Sequence, residues 1–131
     1  MNIVDSSGWL EYFSGGPNSE QFAIPLQDQS SLIVPVITIY EVSKVVLRES
    51  SENEALQAVA AMQKGTIINL TTSIAMNASR LSLKYRLPMA DSIILSTAQS
   101  YECIIWTQDS DFENLPDIKF FPKIKAGPTS A

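Results

Sequence analysis

The sequence predicts one α/β domain in which a mainly parallel sheet of four to five strands lies between helices. Short apolar runs alternate along the chain with longer segments whose apolar residues recur at helical spacing. The run at 103–106 is continuously apolar and rich in β-branched and aromatic residues, which indicates a strand covered on both faces. A chain of 131 residues is long enough for one such domain and too short for two ordinary ones.

Six elements are predicted in the first half of the chain. In order they are a strand at 2–5, helices at 9–13 and 22–26, a strand at 32–34, and helices at 37–48 and 52–64. The strands are short apolar runs that end at Asp5 and before Pro35, whereas the helices repeat apolar residues every three or four positions. Gly15 and Gly16 end the first helix, and Pro25 interrupts the second.

Five elements are predicted in the second half. They are a strand at 66–70, a helix that ends near 86, a helix at 90–101, a strand at 103–106 and a short edge strand at 117–121. Thr71, Thr72 and Ser73 are suitable N-caps for the first of these helices, and Pro88 separates it from the second. The domain is predicted to span 1–125, followed by a flexible tail at 126–131.

Several classes of protein are excluded by what the chain lacks. It has no histidine, which excludes Ser-His-Asp catalysis, Cys-His catalysis and histidine-based zinc sites. It has no Gly-x-Gly-x-x-Gly or Walker loop to indicate nucleotide binding. The absence of a long apolar run and of a signal pattern, with Cys103 as the single cysteine, predicts a cytoplasmic protein without a membrane segment.

Four carboxylates are expected at one edge of the sheet. Asp5 ends the first strand, and Asp109 follows the fourth. Glu41 and Asp91 lie in the first turns of predicted helices. With right-handed crossovers, all four positions fall at the carboxyl ends of parallel strands. Carboxylates held together repel one another, and one or two Mg²⁺ or Mn²⁺ ions would relieve that repulsion and support phosphodiester hydrolysis.

Each of these acids also has a purely structural interpretation. Asp5 would cap the helix that follows it, and Asp91 would complement a helix dipole. Glu41 would complete a capping box with Thr38, and Asp109 would close an Asx turn. The hypothesis of a metal site depends on all four acids meeting at one edge.

Four short motifs occur in order over residues 1 to about 122. They are Asp5-Ser6-Ser7, Thr38-x-x-Glu41, Asp91-x-x-Ile94-x-x-x-Ala98 and Thr107-x-Asp109-x-Asp111-Phe112. Together they resemble the PIN domain, and most closely the VapC-type toxins of prokaryotic toxin–antitoxin pairs. The resemblance implies an α/β/α sandwich and a Mg²⁺- or Mn²⁺-dependent ribonuclease, usually a homodimer, that a small antitoxin protein neutralises.

The resemblance also implies roles for the acids. The residues that match the acidic quartet of the family are Asp5, Glu41, Asp91 and Asp109. Asp5 and Asp91 are expected to ligate a metal ion directly. Glu41 and Asp109 are expected to ligate through water or to complete a second ion site.

Three further side chains are expected to support this quartet. Thr107 would hydrogen-bond a ligand carboxylate or a bound water, and Ser6 belongs to the first motif. Asp111 is expected to support the site from further out, or to cap the short turn that begins at Phe112.

Basic residues near the acids are candidates for contacts with RNA phosphates. They are Lys44, Arg48, Lys84 and Arg86. The alternative is that they form solvated helix faces. With the quartet set aside, ten of the 14 acidic side chains remain against nine basic ones, so general RNA affinity is expected to be weak. Weak general affinity suits an enzyme that recognises a particular folded RNA by shape.

Two other functions remain open. Trp9, Tyr12 and Phe13 belong either to the core or to a groove for an antitoxin segment. Residues 45–47 are too many for one narrow apolar stripe, so part of that helix is expected to meet another chain. A non-catalytic protein-binding module would use only such a surface. A phosphatase with Asp5 as nucleophile would usually have a second aspartate two positions later, where this chain has Ser7.

Overall fold

A computed structural model describes residues 1–125, and the predicted flexible tail at 126–131 lies outside the described residues. In chain order the elements are β1 (Asn2–Val4), α1 (Ser6–Ser14), α2 (Ser19–Gln27), β2 (Ile33–Pro35), α3 (Val36–Glu49), α4 (Glu52–Met62), β3 (Thr66–Ile68), α5 (Thr72–Tyr85), α6 (Met89–Ser100), β4 (Ile104–Thr107) and β5 (Ile118–Phe120). All eleven predicted elements are present. None of the helices in this range has the length and apolarity needed to cross a membrane.

The strands form a parallel sheet in the order β3-β2-β1-β4-β5. Strand β4 pairs with β1 and with β5, and β2 pairs with β3, always in parallel. A single parallel bridge between Asn2 and Leu32 joins the two groups of strands. Because every pairing is parallel, the carboxyl ends of all five strands point toward one edge of the sheet. The predicted α/β fold is confirmed.

Alternating residues of the sheet face two separate hydrophobic cores. Ile3 and Ile105 pack on one face with apolar residues of α5 and α6. Their neighbours Val4 and Trp106 pack on the other face with apolar residues of α1 to α4. Successive side chains of a strand point to opposite faces, so these short strands can fill both cores. The result is the α/β/α sandwich that the family resemblance implies.

Helix α3 begins directly after β2, one residue earlier than predicted. Its N-cap is Pro35, which has an extended backbone (φ −61°, ψ 136°) and makes no side-chain capping bond. Glu41 therefore lies in the second turn, and the expectation of a capping box between Thr38 and Glu41 is wrong. Helix α2 also differs, because it continues through Pro25, which is buried in its last turn.

Gly8 allows α1 to lie close against the sheet. A Cβ atom at this position would lie 2.5 Å from Cγ1 of Val4 and 2.8 Å from the fully buried ring of Phe22. We expect Gly8→Ala to lower the free energy of unfolding by about 1–3 kcal/mol, because packed neighbours must shift. Urea denaturation measures this loss. The double variant of Gly8→Ala with Val4→Ala should lose less free energy of unfolding than the sum of the losses in the two single variants. Additive losses would contradict the proposed contact.

Candidate metal centre

Five carboxylates converge at the carboxyl edge of the sheet and are called here the acidic cluster. They are Asp5 after β1, Glu41 on α3, Asp91 in the first turn of α6, and Asp109 and Asp111 after β4. The charges of the other four all raise the pKa of Asp91, so they lie within its electrostatic range. Carboxylate oxygens of Asp91, Asp109 and Asp111 lie within 4.8 Å of one another. The four predicted acids are therefore neighbours in space, and a fifth joins them.

Asp5 is held by three hydrogen bonds at the junction of β1 and α1. Its Oδ1 accepts from Ser7 Oγ at 2.7 Å and from the backbone N–H of Gly8 at 3.0 Å. Its Oδ2 accepts from Thr107 Oγ1 at 2.7 Å. Burial raises the pKa of Asp5 to about 6, against the lowering effect of these hydrogen bonds. Asp5 also caps α1, so a structural role and a place in the acidic cluster coexist in one residue.

Thr107 links two of the acids at the end of β4. Its hydroxyl donates to Asp5 and accepts from the backbone N–H of Asp109 at 2.9 Å, and the residue is fully buried. Oδ1 of Asp109 in turn accepts from the backbone N–H of Asp111 at 2.9 Å. One chain of hydrogen bonds therefore connects three members of the acidic cluster.

We expect Thr107→Val to lower the free energy of unfolding by about 1–3 kcal/mol. Valine removes the hydroxyl and leaves both Oδ2 of Asp5 and the N–H of Asp109 without their partner. Thr107→Ser keeps the hydroxyl and is the matched control. Denaturation of the three proteins checks the expectation, which equal stability of the valine and serine variants would contradict.

Asp91 carries the most perturbed carboxyl group of the acidic cluster. Only 9% of the residue is exposed. Burial is the largest cause and the charge of Asp109 the next, and with the other three acids they raise the pKa of Asp91 to about 8. Burial also raises the pKa of Glu41, with a contribution from Asp109, whereas the Ser6 side chain lowers it. Raised pKa values at several neighbouring acids are typical of functional sites.

The turn after β4 differs from the prediction for Asp111. It is a 3₁₀ turn at Ser110–Phe112, and its N-cap is Asp109, whose side chain accepts from the N–H of Asp111. The expectation that Asp111 caps a turn beginning at Phe112 is therefore wrong. Asp111 is exposed, and its carboxylate approaches those of Asp91 and Asp109.

No basic side chain neutralises the acidic cluster within residues 1–125. The one ion pair in this range joins Arg48 to Glu49 on the surface of α3. Oε1 of Glu41 is buried and has no hydrogen-bond partner among these residues. An all-oxygen donor set without a basic partner fits a hard divalent cation such as Mg²⁺ or Mn²⁺. The residues that could hold it are Asp91, Asp109 and Asp111, with Asp5 and Glu41 beside them.

Ser7 hydrogen-bonds Asp5, whereas the sequence predicts Ser6 as the supporting serine. Ser7 Oγ donates to Asp5 and also accepts from the backbone N–H of Gln108 at 3.2 Å. The side chain of Gln108 accepts from Asn18 Nδ2 at 3.1 Å, which extends the network to the start of α2. Ser6 interacts with Glu41 instead. The signal that could have found Ser7 is the capping role of Asp5, which turns the first residues of α1 back toward its carboxylate.

The four basic residues predicted to contact RNA are exposed on or beside α3 and α5. They are Lys44, Arg48, Lys84 and Arg86. Lys44 lies 5.6 Å from the ring centre of Tyr40, and Lys84 lies 5.1 Å from that of Tyr85. Arg86 ends α5 in a left-handed conformation (φ 56°). Their contact with RNA stays a prediction.

A groove of about 580 Å³ lies between α1 and α3, next to the acidic cluster. Its lining includes Ser6, Ser7, Leu10, Phe13, Val45, Val46, Glu49 and Glu54. Trp9 is 3% exposed and belongs to the core, and Tyr12 is partly buried against it. Phe13 is 37% exposed and lines the groove, whereas Leu47 is exposed outside it. The apolar residues of these helices therefore divide between core and groove.

The fold and the site together define a class of protein: an α/β/α sandwich that gathers carboxylates, suited to a divalent cation, at the carboxyl edge of a parallel sheet. The family model of the PIN domain matches residues 3–118. The chain therefore belongs to the PIN domain family, as its motifs predict. No curated protein matches it.

Solved structures with a similar fold include toxins and toxin–antitoxin complexes. A toxin–antitoxin complex from Klebsiella pneumoniae is 24% identical, with a TM-score of 0.80 over 94% of this chain and 100% of that chain. VapC20 from Mycobacterium tuberculosis, a sarcin–ricin loop cleaving toxin, is 12% identical, with a TM-score of 0.73 over 86% of this chain and 93% of that chain. VapBC2 from Rickettsia felis, bound to a DNA fragment from its promoter, is 11% identical, with a TM-score of 0.71 over 92% of this chain and 97% of that chain.

Proposed function

We propose that the protein is a Mg²⁺- or Mn²⁺-dependent ribonuclease that hydrolyses RNA phosphodiester bonds, and that it is the toxin of a toxin–antitoxin pair. The acidic cluster carries this proposal, because five carboxylates meet there without a basic partner among residues 1–125. Their position at the carboxyl edge of a parallel sheet is where α/β proteins form ligand sites. Membership of the PIN family and the likeness in fold to toxins support it.

Each acid is proposed to hold the cation in its own way. Asp5 and Asp91 would be direct ligands, while Glu41 and Asp109 would ligate through water or complete a second ion site. Asp111, whose carboxylate approaches two of these acids, would extend the ligand set on the exposed side. One or two bound ions would polarise the phosphodiester and favour ionisation of the attacking water. The contribution of the chain is to hold the carboxylates in place through the hydrogen bonds that fix Asp5.

The substrate is proposed to be a particular folded RNA. The chain has a net charge of −5, so general attraction to RNA is weak, and selection by shape suits such a protein. Lys44 and Arg48 would contact phosphates from the helix that carries Glu41. Lys84 and Arg86 would do so from the segment that leads to α6.

Neutralising the two cations of α3 should lower the salt dependence of RNA binding. We expect Lys44→Gln with Arg48→Gln to reduce the slope of log affinity against log salt by about 1.4, because each lost contact with single-stranded phosphate removes about 0.7. Binding is measured in an Asp91→Asn background, in which the RNA stays intact. Lys64→Gln with Arg80→Gln removes the same charge elsewhere and is the control. Equal slopes for the two double variants would contradict the assignment.

A small antitoxin protein is proposed as inhibitor, bound along the groove between α1 and α3. The apolar wall there includes Leu10, Phe13, Val45 and Val46. The same groove is lined by Ser6 and Ser7, which contact members of the acidic cluster. An apolar segment that carries one basic side chain would match both the wall and the acids. We further propose that the protein acts in the cytoplasm and that it forms a homodimer. Light scattering of the purified protein measures its mass and tests the dimer.

Cleavage of a total small-RNA pool by the purified, antitoxin-free protein tests the proposed activity. Reactions with Mg²⁺, Mn²⁺ or chelator are compared for the wild type and Asp91→Asn. Discrete products that need metal and disappear in the variant would support the ribonuclease. Absence of cleavage by folded protein with either ion would contradict it and favour the alternative, a non-catalytic protein-binding module.

A further inference from the structure

Two buried side-chain oxygens have no hydrogen-bond partner in the part of the chain that the structure describes. They are Oγ1 of Thr38 and Oε1 of Glu41, both on α3. Thr38 is completely buried. Folded proteins pair nearly all buried polar atoms, because leaving one unpaired is costly. Two unpaired atoms on one helix therefore require an explanation.

The two residues lie next to each other on the same face of α3. Side chains three positions apart on an α-helix stack one turn above the other. Ile37 packs toward the core shared with α5 and α6, and Val42 packs in the core on the other side of the sheet. At about 100° per residue, Thr38 and Glu41 fall between these two directions. They therefore face the strand ends, where the charges of Glu41 and Asp109 interact.

The usual partner for a helical threonine is not available to Thr38. Thr97 is nearly as buried, and its hydroxyl donates to the carbonyl oxygen of Ile93, four residues earlier in α6, at 2.8 Å. The residue four positions before Thr38 is Val34, which lies in β2 and not in the helix. The hydroxyl of Thr38 is thus left for a partner outside the helix backbone.

We propose that Thr38 is a positioning residue for Glu41, whose Oε1 receives the hydrogen bond of the Thr38 hydroxyl through one bridging water. The two unpaired atoms are complementary, because a hydroxyl donates and an ionised carboxylate only accepts. The Ser6 side chain also interacts with this carboxylate, so Thr38 supplies a second contact. Hydrogen bonds of this kind orient metal ligands. The inference rests on the proposed metal site and assigns it one more residue.

Calorimetric titration with Mn²⁺, in the absence of RNA, tests the inference. We expect Thr38→Val to weaken Mn²⁺ affinity about 10-fold, as loss of a hydrogen bond to a ligand does elsewhere. Thr38→Ser keeps the hydroxyl and should retain the affinity of the wild type. In a Glu41→Gln background, Thr38→Val should cause no further loss, because the threonine acts through that carboxylate.

Thermal denaturation of the metal-free variants gives a second, independent measurement. Thr38→Val should unfold below the wild type and below Thr38→Ser, because valine removes the hydroxyl that is proposed to pair with Oε1 of Glu41. An unfolding temperature equal to that of the wild type, or an equally large drop in the Glu41→Gln background, would overturn the inference, since the hydroxyl would then make no contact that depends on this carboxylate. Unchanged Mn²⁺ affinity in Thr38→Val, or an equal further loss in the Glu41→Gln background, would overturn it too. Failure of the wild type to bind Mn²⁺ would instead overturn the proposed metal site itself.

Discussion

Replacing Asp91 with asparagine is expected to abolish RNA cleavage and, at alkaline pH, to stabilise the metal-free protein. Asp91 is nearly buried and lies among four other carboxylates. Asparagine keeps its shape without its charge, so the change removes both a proposed ligand for the cation and a source of repulsion. We expect cleavage to fall more than about 100-fold, because losing even an indirect contact to a metal ligand costs about 10- to 100-fold.

The gain in stability has a definite pH dependence. The pKa of Asp91 rises from 3.8 to about 8 in the folded protein. Between these values the folded state holds a proton that the unfolded state has lost, so the stability of the metal-free wild type falls as the pH rises. Asparagine does not titrate and escapes this loss. The variant should unfold about 2 °C or more above the wild type at pH 9, and the two should converge near pH 4.

Thermal denaturation in chelator at both pH values measures this difference. The control is Asp28→Asn, which makes the same chemical change at an exposed acid outside the acidic cluster. If Asp91→Asn unfolds below the wild type at pH 9, the ionised carboxylate must stabilise the metal-free fold. That result would contradict the repulsion from which the metal site is inferred.

The order of the elements and the edge that carries the acids are predictable from the sequence, because both depend on local patterns. Asp5 and Asp109 directly follow apolar runs, and a parallel sheet brings the ends of such runs to one edge. Ile3 and Val4 pack in opposite cores because their strand is covered on both faces. A short apolar run of sequence is enough to predict this arrangement.

The contacts around the acids are not predictable in this way. The bond between Ser7 and Gln108 joins residues 101 positions apart, and no local pattern indicates which serine of a pair meets it. The start of α3 directly after the strand, with Pro35 rather than Thr38 at the N-cap, decides which turn holds Glu41. Asp111 enters the acidic cluster because Asp109 takes the capping position. Each of these outcomes depends on packing between distant segments.

Binding of Mn²⁺ is expected to tighten steeply between pH 6 and pH 8. The pKa of Asp91 is raised to about 8 and that of Asp5 to about 6, so the acidic cluster holds a proton in this range that a cation must displace. Displacement of one proton makes the apparent affinity rise about tenfold per pH unit. The rise should flatten above pH 8, where Asp91 is ionised, and steepen below pH 6, where Asp5 is protonated too.

Calorimetry in buffers of different ionisation enthalpy measures both the affinity and the number of protons released. About one proton should leave per Mn²⁺ bound at pH 7, and fewer at pH 9. In Asp91→Asn we expect no proton release at pH 7 and no rise in Mn²⁺ affinity between pH 6 and pH 8, because the group that loses the proton is absent. A wild-type affinity that stays constant from pH 6 to pH 8 would mean that the carboxylates are already ionised. The acidic cluster would then hold its charge without a cation, and the electrostatic reason for placing a metal ion there would be lost.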